Sequence, residues 1–188
     1  QWGSSIGKHA AIAEKIGRMA SNLFAIEAMT TLTSVLVDRK KTDIRVEAAM
    51  AKMWGTEAAW QAAYDMQQVL GGRGFETAQS LAERGETPYP AERALRDMRI
   101  NTIFEGSSEI MRLFLAREAM DPHLKAAGEA VNTRLPFKRR MKASIKALGF
   151  YARWYPKQWP PLGGPTTTGM DPALAREVRY VARTARKL

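Results

Sequence analysis

The spacing of apolar residues constrains the fold of this chain more than any other feature of its sequence. Apolar side chains recur every three or four positions, beginning at Ile12, Ile16, Met19, Leu23 and Ile26, which is the period of one face of an α-helix. No segment alternates apolar and polar residues for long enough to predict a strand. The sequence therefore predicts an all-α fold.

Turn-forming residues divide this pattern into four long helices. Asp43 is a good N-terminal cap, the Gly71-Gly72 pair is a helix end, and Pro90 suits a first turn. Between Arg73 and Tyr89, Gly, Thr and Pro predict a loop. We expect helices from about residue 10 to 36, 43 to 70, 90 to 103 and 109 to 127. Four such helices predict an antiparallel four-helix bundle.

Charge divides the chain into two parts. Residues 1–121 have 15 Lys and Arg against 16 Asp and Glu, a balance of −1, whereas residues 122–188 have 14 against 3, a balance of +11. So abrupt a change predicts a boundary at Asp121-Pro122. We place the four-helix bundle in residues 1–121 and a basic helical C-terminal extension in residues 122–188.

The extension contains a predicted basic amphipathic helix. Its apolar stripe is Phe137, Met141, Ile145 and Leu148, its flanking cations are Lys138, Arg139, Arg140, Lys142 and Lys146, and the aromatic residues Tyr151, Trp154 and Trp159 follow. Cations beside apolar and aromatic residues suit an anionic membrane surface, which we predict for residues 137–159. The alternative is that the stripe packs on the bundle or on a second subunit. Nucleic acid is not the expected partner, because no nucleic-acid-binding motif accompanies the charge.

Several site classes are excluded by composition. The chain has no cysteine, and its two histidines are His9 and His123, so no zinc site, iron–sulfur cluster, thiol nucleophile or disulfide is expected. No apolar run approaches the roughly 18 residues that a spanning helix needs, and the N-terminus has no signal-peptide core. We expect a bacterial cytoplasmic or mitochondrial matrix protein, soluble or peripheral to a membrane. A start at Gln1 suggests part of a longer chain.

Two segments contain candidate functional residues. In Gln68–Phe75, paired glycines after a helix form either a C-terminal cap or a place where the backbone approaches a phosphate or an adenine. In the second segment, Glu105 lies at a helix break between apolar residues and Gly106. Burial there would raise the pKa of its carboxyl towards that of a general base. The alternatives are a solvated glutamate, or one paired with Arg99 or Arg112. Backbone N–H groups at the next helix start are expected to hold negative charge.

Together the segments resemble the C-terminal domain of the acyl-CoA dehydrogenases. The shared motifs are Gln68-x-x-Gly71-Gly72-x-Gly74-Phe75, Arg96-Asp97-x-Arg99-Ile100, and Ile103–Ile110 with Arg112. The opening Gln1-Trp2-Gly3-Ser4-Ser5-Ile6-Gly7-Lys8-His9 is similar to the start of that domain. Residues 1–121 are covered well, and the remainder loosely resembles relatives with an extra helical C-terminal region, such as the very-long-chain enzymes.

The resemblance implies an FAD-dependent oxidoreductase of fatty-acid β-oxidation. Glu105 would remove the pro-R α-proton of an acyl-CoA thioester while the β-hydride passes to N5 of FAD, giving a trans-2-enoyl-CoA. The backbone N–H of Glu105 and a flavin ribityl hydroxyl would hold the thioester carbonyl, and Gly106 would line the substrate site. The electron acceptor implied is electron-transferring flavoprotein.

The resemblance also implies the cofactor contacts. Residues beside the flavin would be His9, Ser107, Ser108 and Glu109. Residues at the adenylate end of FAD bound mainly by a neighbouring subunit would be Gln68, Val69, Leu70, Gly71 and Gly72. A homo-oligomer, dimer or tetramer, would then complete the site, and these 188 residues alone are expected to be inactive.

Three features depart from the family pattern. Ala10 stands where a Gln usually follows the histidine, Ser107 replaces a frequent Thr, and the link at 78–89 is longer than usual. The alternatives to a dehydrogenase are an acyl-CoA oxidase, which passes electrons to oxygen, and a basic helical interaction module that binds nucleic acid or a membrane.

Overall fold

The computed structural model describes residues 3–39, 43–158 and 167–185 of the chain. These residues form helices and turns and contain no strand, which confirms the all-α prediction. Of the residues singled out above, Gln1, Trp2 and Trp159 lie outside the described residues. The helices are α1 (Ala10–Arg39), α2 (Arg45–Leu70), α3 (Gly72–Phe75), α4 (Ala78–Glu83), α5 (Ala91–Ile100), α6 (Ser108–Val131), α7 (Phe137–Trp154) and α8 (Pro172–Ala185).

The predicted loop between Arg73 and Tyr89 is wrong in part, because α3 overlaps its start and α4 lies within it, whereas residues 84–89 form turn and coil. Thr77 caps α4 by accepting a hydrogen bond from the backbone N–H of Ser80 at 3.2 Å. Leu81 of α4 is 1% exposed and anchors the segment in the core. The short helices were missed because a four- or six-residue helix is too short to show apolar periodicity.

Contacts within the chain define two compact units, Gln1–Ala119 and Met120–Leu188. In the first, α1 and α2 run antiparallel, since Lys15 and Arg18 near the start of α1 pair with Asp65 near the end of α2. Small buried residues allow the helices to approach closely, and α2 also packs against α5. These residues are Ala49, Ala58, Ala63 and Ala91.

The fourth helix of the predicted bundle meets α2 through side-chain ion pairs. Arg112 of α6 pairs with Glu57, and Glu118 lies 3.8 Å from Arg45. The close backbone packing of the described unit is instead between α1, α2, α3 and α5. The antiparallel four-helix bundle therefore stays a prediction, whereas the all-α class is established.

Helix α1 has the length and composition of a membrane span, with a mean hydropathy of 1.3 over its most apolar 18 residues. The expectation that no such stretch exists was wrong. In residues 20–37 the strongly apolar side chains are separated by Ala, Ser and Thr, so they do not form a continuous run, but Glu27 is the one charged residue there and the mean hydropathy stays high. Length and composition alone are weak evidence for a span. Lys15 and Arg18 attach α1 to α2, although none of this apolar 18-residue stretch is buried within the described chain.

In the second unit, α7 forms where the basic amphipathic helix was predicted. Its Ala143 and Ala147 are buried, and rings from α6 and α7 cluster around His123, whose Nδ1 lies 3.2 Å from the Tyr151 hydroxyl. The other rings of this cluster are Phe150 and Trp154. The apolar stripe faces away from this packing, so its residues are exposed.

Candidate active site

The candidate site is the turn that joins α5 to α6. Hydrogen bonds from the backbone N–H of Phe104 to Ile100 O at 3.1 Å, and of Ser108 to Thr102 O at 3.0 Å, define it. Glu105 lies in this turn with φ +53°, and it is the one non-glycine residue of the described chain with a positive φ. That conformation costs an L-residue about 1–2 kcal/mol. Such strain persists where the surrounding structure imposes it, often at functional sites.

Gly106 is required by the shape of the same turn. Its φ is +95°, and the space where a Cβ would stand is occupied by Met111 Cε. Any side chain at this position would meet both a disfavoured backbone conformation and the methionine. The sequence analysis explained Gly106 by the close approach of a ligand. The conformation of the turn itself is a second reason for a glycine at this position.

Lys52 of α2 holds the turn from the opposite side. Its Nζ donates to the carbonyl oxygen of Phe104 at 3.1 Å and to that of Gly106 at 2.5 Å. The ammonium thus bonds the carbonyls immediately before and after Glu105. Sequence reasoning missed this residue, because nothing in its surroundings shows that its partners are backbone oxygens more than fifty positions later.

The predicted enclosure of Glu105 is wrong for this chain taken alone. Glu105 is exposed, and its apolar neighbours Ile103 and Phe104 are 51% and 44% exposed. The two arginines considered as its partners are engaged elsewhere: Arg99 lies 5.1 Å over the Trp60 ring and donates to Thr102 Oγ1 at 2.7 Å, and Arg112 pairs with Glu57. Apolar residues next to a side chain in sequence enclose that side chain only when the segment that contains them is packed against other parts of the fold.

The N–H groups that were expected to hold an anion at the start of α6 are largely occupied. Ser108 N–H donates to Thr102 O at 3.0 Å, and Ile110 N–H lies 3.5 Å from the Ser107 hydroxyl. The pKa of the Glu109 carboxyl is lowered, mainly because its own backbone N–H and then the Ser107 hydroxyl donate to it. This helix start therefore already holds an anion, the Glu109 carboxylate.

Ser108 has a different environment from its neighbours. It is 5% exposed, and its Oγ has no hydrogen-bond partner within the described chain. It borders a cavity of about 400 Å³ that is also lined by Trp60, Gln61, Arg99 and Glu109. A buried hydroxyl without a partner is rare in proteins. This hydroxyl can accept or donate one hydrogen bond to a group that enters the cavity.

The glycines of the Gln68–Phe75 motif have separate structural roles. Gly71 ends α2 with φ +62°, and its N–H donates to Gln68 O at 3.2 Å, so the predicted C-terminal cap is confirmed. Gly74 packs so closely on α2 that a Cβ would lie 2.5 Å from Gln67 O. Gly72 has nothing within 4 Å of its Cβ position. Of these three glycines, only Gly72 has neither a positive φ nor a close contact within the described chain that would require a glycine.

The sequence-predicted site residues form two groups at opposite ends of α2. Sixteen positions separate Lys52, beside the Glu105 turn, from Gln68, which is about 24 Å along a helix. His9 directly precedes α1, near the Lys15–Asp65 ion pair, and therefore lies at the Gln68 end. The structure thus brings Glu105, Gly106, Ser107, Ser108 and Glu109 together, and separates them from His9 and Gln68–Gly72.

Gly72 and Gly74, the two glycines of this motif that do not end α2, provide a matched pair of substitutions. We expect Gly74→Ala to lower the free energy of unfolding by about 1–3 kcal/mol, because the new methyl group meets rigid backbone. Gly72→Ala should change it by less than about 0.5 kcal/mol, since the space there is open. Urea unfolding of the FAD-free full-length protein measures both. Equal effects of the two substitutions would contradict the assigned roles.

Comparison with known proteins identifies relatives over the whole chain. Residues 1–120 match the family model described as "Acyl-CoA dehydrogenase, C-terminal domain". The chain is 48% identical over 189 aligned residues, all of its length, to "Probable acyl-CoA dehydrogenase FadE10" of Mycobacterium tuberculosis. It is 37% identical over 138 residues, 73% of its length, to the human "Very long-chain specific acyl-CoA dehydrogenase, mitochondrial". The chain spans 29% and 20% of the lengths of these relatives.

Proposed function

Because this chain belongs to the acyl-CoA dehydrogenase family through its C-terminal domain, we propose that the full-length protein converts acyl-CoA thioesters to trans-2-enoyl-CoA with Glu105 as the base. The reaction is part of fatty-acid β-oxidation. A location in the bacterial cytoplasm or the mitochondrial matrix is part of the same proposal.

One observation supports the assignment of Glu105 above all others. This glutamate adopts a left-handed conformation in a turn whose two flanking carbonyls are bonded by Lys52. A stability-driven sequence would place Gly or Asn at such a position. A carboxylate at this position indicates a role that stability does not explain.

The residues of this chain would perform the proton half of the reaction. The carboxylate of Glu105 accepts the α-proton, and the two electrons of the broken α-C–H bond form the new carbon–carbon double bond as hydride leaves the β-carbon. FAD, when bound, supplies the chemistry that accepts this hydride. The backbone N–H of Glu105 would donate to the thioester oxygen, where negative charge develops. Gly106 would line the substrate site beside the carboxylate with its backbone, because the space that a side chain would need there is occupied by Met111.

The residues present fit an FAD that is bound at two places. The partnerless Ser108 hydroxyl can bond a polar cofactor atom, and the backbone at Gly72 is open to an approaching group. We assign Ser107, Ser108 and Glu109 to the flavin end. Gln68, Val69, Leu70, Gly71 and Gly72 would contact the adenylate end, and His9, which we proposed for the flavin, lies on their side of α2. Because α2 separates these groups, a homo-oligomer, dimer or tetramer, would bring them to cofactors shared between subunits.

The proposal is tested on the purified full-length protein. We expect a yellow flavoprotein whose oxidised-flavin absorbance bleaches when an acyl-CoA is added without oxygen. Electron-transferring flavoprotein should then reoxidise it. Rapid oxygen uptake without a dye acceptor would instead identify an acyl-CoA oxidase. Absence of bound flavin would contradict the enzyme proposal and leave the interaction-module alternative.

A second proposal concerns the surface of the C-terminal unit. The apolar stripe of α7 is exposed: Phe137 by 71%, Met141 by 49%, Ile145 by 67% and Leu148 by 71%. Beside it, a groove of about 1100 Å³ is lined by cations of α6 and α7. These are Lys125, Lys138, Arg139, Lys142 and Lys146; Glu129 also lines the groove and pairs with Arg139, and Lys125 pairs with Asp121. Exposed apolar residues flanked by cations suit an anionic membrane surface, and we propose that α7 binds one.

Liposome co-sedimentation of the full-length protein tests this surface. We expect binding to anionic vesicles that weakens with salt, and that falls at least about tenfold in Ile145→Glu/Leu148→Glu, because two carboxylates then enter the interface. Leu174→Glu, on the exposed face of α8, is the matched control. If neither form sediments, or both do so equally, the stripe is a packing surface for another part of the protein.

A further inference from the structure

The side chain of Lys52 reaches from the N-terminal third of α2 to the backbone on both sides of the proposed base. It is half-buried, and its Nζ bonds Phe104 O at 3.1 Å and Gly106 O at 2.5 Å. Both bonds are charge-assisted, and such bonds are about twice as strong as those between neutral groups. One cation therefore fixes two of the peptide groups that determine where Glu105 stands.

The bond to Phe104 has a chemical consequence beyond position. The carbonyl of Phe104 and the N–H of Glu105 belong to the same peptide group. A cation at the oxygen draws electron density from the nitrogen, so the N–H becomes a stronger donor. In the proposed reaction, that N–H faces the thioester oxygen as it gains negative charge.

We propose that Lys52 is a positioning residue for α-proton removal, because it holds Glu105 in its left-handed turn and strengthens the backbone N–H that stabilises the developing enolate. This inference rests on the proposed function. Lys52 itself touches neither substrate nor proton. Its influence passes through the peptide group of Phe104 and Glu105.

Three substitutions separate this role from simple attachment of the turn to α2. Lys52→Met keeps the length of the side chain and removes both bonds and the charge. Lys52→Gln keeps a hydrogen-bond donor without the charge, and Lys52→Arg keeps the charge. Lys8→Met, at an exposed lysine before α1, is the matched control.

The rate constant for flavin reduction at saturating acyl-CoA is measured in the FAD-loaded full-length protein. We expect Lys52→Met to lower it about 10–100-fold, since misplacement of a catalytic group by about 1 Å and loss of an oxyanion donor have effects of this size or larger. Lys52→Gln should show most of this loss. Lys52→Arg should recover to within about fivefold of wild type, and Lys8→Met should equal it.

A second measurement reports the N–H directly. A 3-thiaacyl-CoA has an acidified α-C–H and resists hydride loss, so its enolate forms in the site at a measurable pH. We expect the apparent pKa of that α-proton to rise by about one unit in Lys52→Met and Lys52→Gln, a tenfold weaker stabilisation of the enolate, and to stay near wild type in Lys52→Arg.

The outcomes distinguish the two levels of inference. Wild-type protein that fails to reduce its flavin with acyl-CoA overturns the proposed function, and the role of Lys52 with it. Wild-type activity with an equally active Lys52→Met overturns the role of Lys52 alone. Slow turnover in all three variants with an unchanged analogue pKa shows that Lys52 only supports the fold. Should Lys52→Met not fold, Lys52→Gln and Lys52→Arg decide by the same criteria.

Discussion

Glu105→Gln in the full-length protein should slow flavin reduction by acyl-CoA about 10²–10⁴-fold, the range expected when a positioned general base is lost. The amide keeps the size and hydrogen-bonding capacity of the side chain but has no basic oxygen at neutral pH. FAD should remain bound, because the contacts assigned to the cofactor belong to other residues. Stopped-flow recording of flavin bleaching measures the rate constant.

The matched control is Glu83→Gln, an exposed glutamate at the end of α4. It should reduce its flavin at the wild-type rate. A Glu105→Gln variant that also keeps this rate would contradict the assignment of the base, whatever the family membership implies.

Glu105→Gly separates the chemistry from the backbone strain. Glycine adopts a φ of +53° without the cost that a glutamate meets there. We therefore expect this variant to unfold at the same temperature as wild type or above it, while its flavin reduction is as slow as that of Glu105→Gln. A lowered unfolding temperature would show that the glutamate stabilises the turn, and would remove the argument from strain.

Asp65→Asn should lower the free energy of unfolding by about 3 kcal/mol, the lower end of what breaking a buried ion pair costs. Asp65 is 1% exposed, and its carboxylate accepts from Lys15 at 2.9 Å and from Arg18 at 2.6 Å. The amide leaves both α1 cations facing an uncharged group. Thermal unfolding of the full-length protein provides the measurement.

An exposed ion pair on α5 supplies the control for this substitution. Asp97 lies 3.5 Å from Arg93, and both side chains are largely exposed. Asp97→Asn should change the free energy of unfolding by less than about 1 kcal/mol, because exposed pairs contribute little. Equal losses of unfolding free energy in the two variants would show that the burial of Asp65 does not make its ion pairs more stabilising than an exposed pair.

The Asp65 carboxylate also makes the stability of the fold depend on pH in the acid range. Burial tends to raise the pKa of Asp65, but the hydrogen bonds from Lys15 and Arg18 outweigh burial and lower it. A folded pKa below the unfolded value of about 3.9 means that this stabilisation is fully present above about pH 4 and is lost as the pH falls through the folded pKa. The stability difference between wild type and Asp65→Asn should therefore shrink below about pH 4.

Much of the fold follows from local signals in the sequence. The spacing from Ile12 to Ile26 repeats with the period of a helix, Gly71 permits the positive φ that ends α2, and Pro90 stands at the N-terminal cap of α5. Each signal acts within one or two helical turns, so it can be recognised from neighbouring residues alone. The motif around Glu105 likewise indicated the family, because its residues are consecutive in the chain.

What the tertiary structure decided depends on residues far apart in sequence. Lys52 meets the carbonyls of Phe104 and Gly106, and Asp65 meets two cations of α1, across about fifty positions each. No local spacing encodes such pairs, since they form only when packed helices bring backbone and side chains together. For the same reason the sequence did not show that Glu105 is exposed in this chain taken alone. Which side of a turn faces solvent is set by the elements packed around it, not by the apolar residues beside it in the chain.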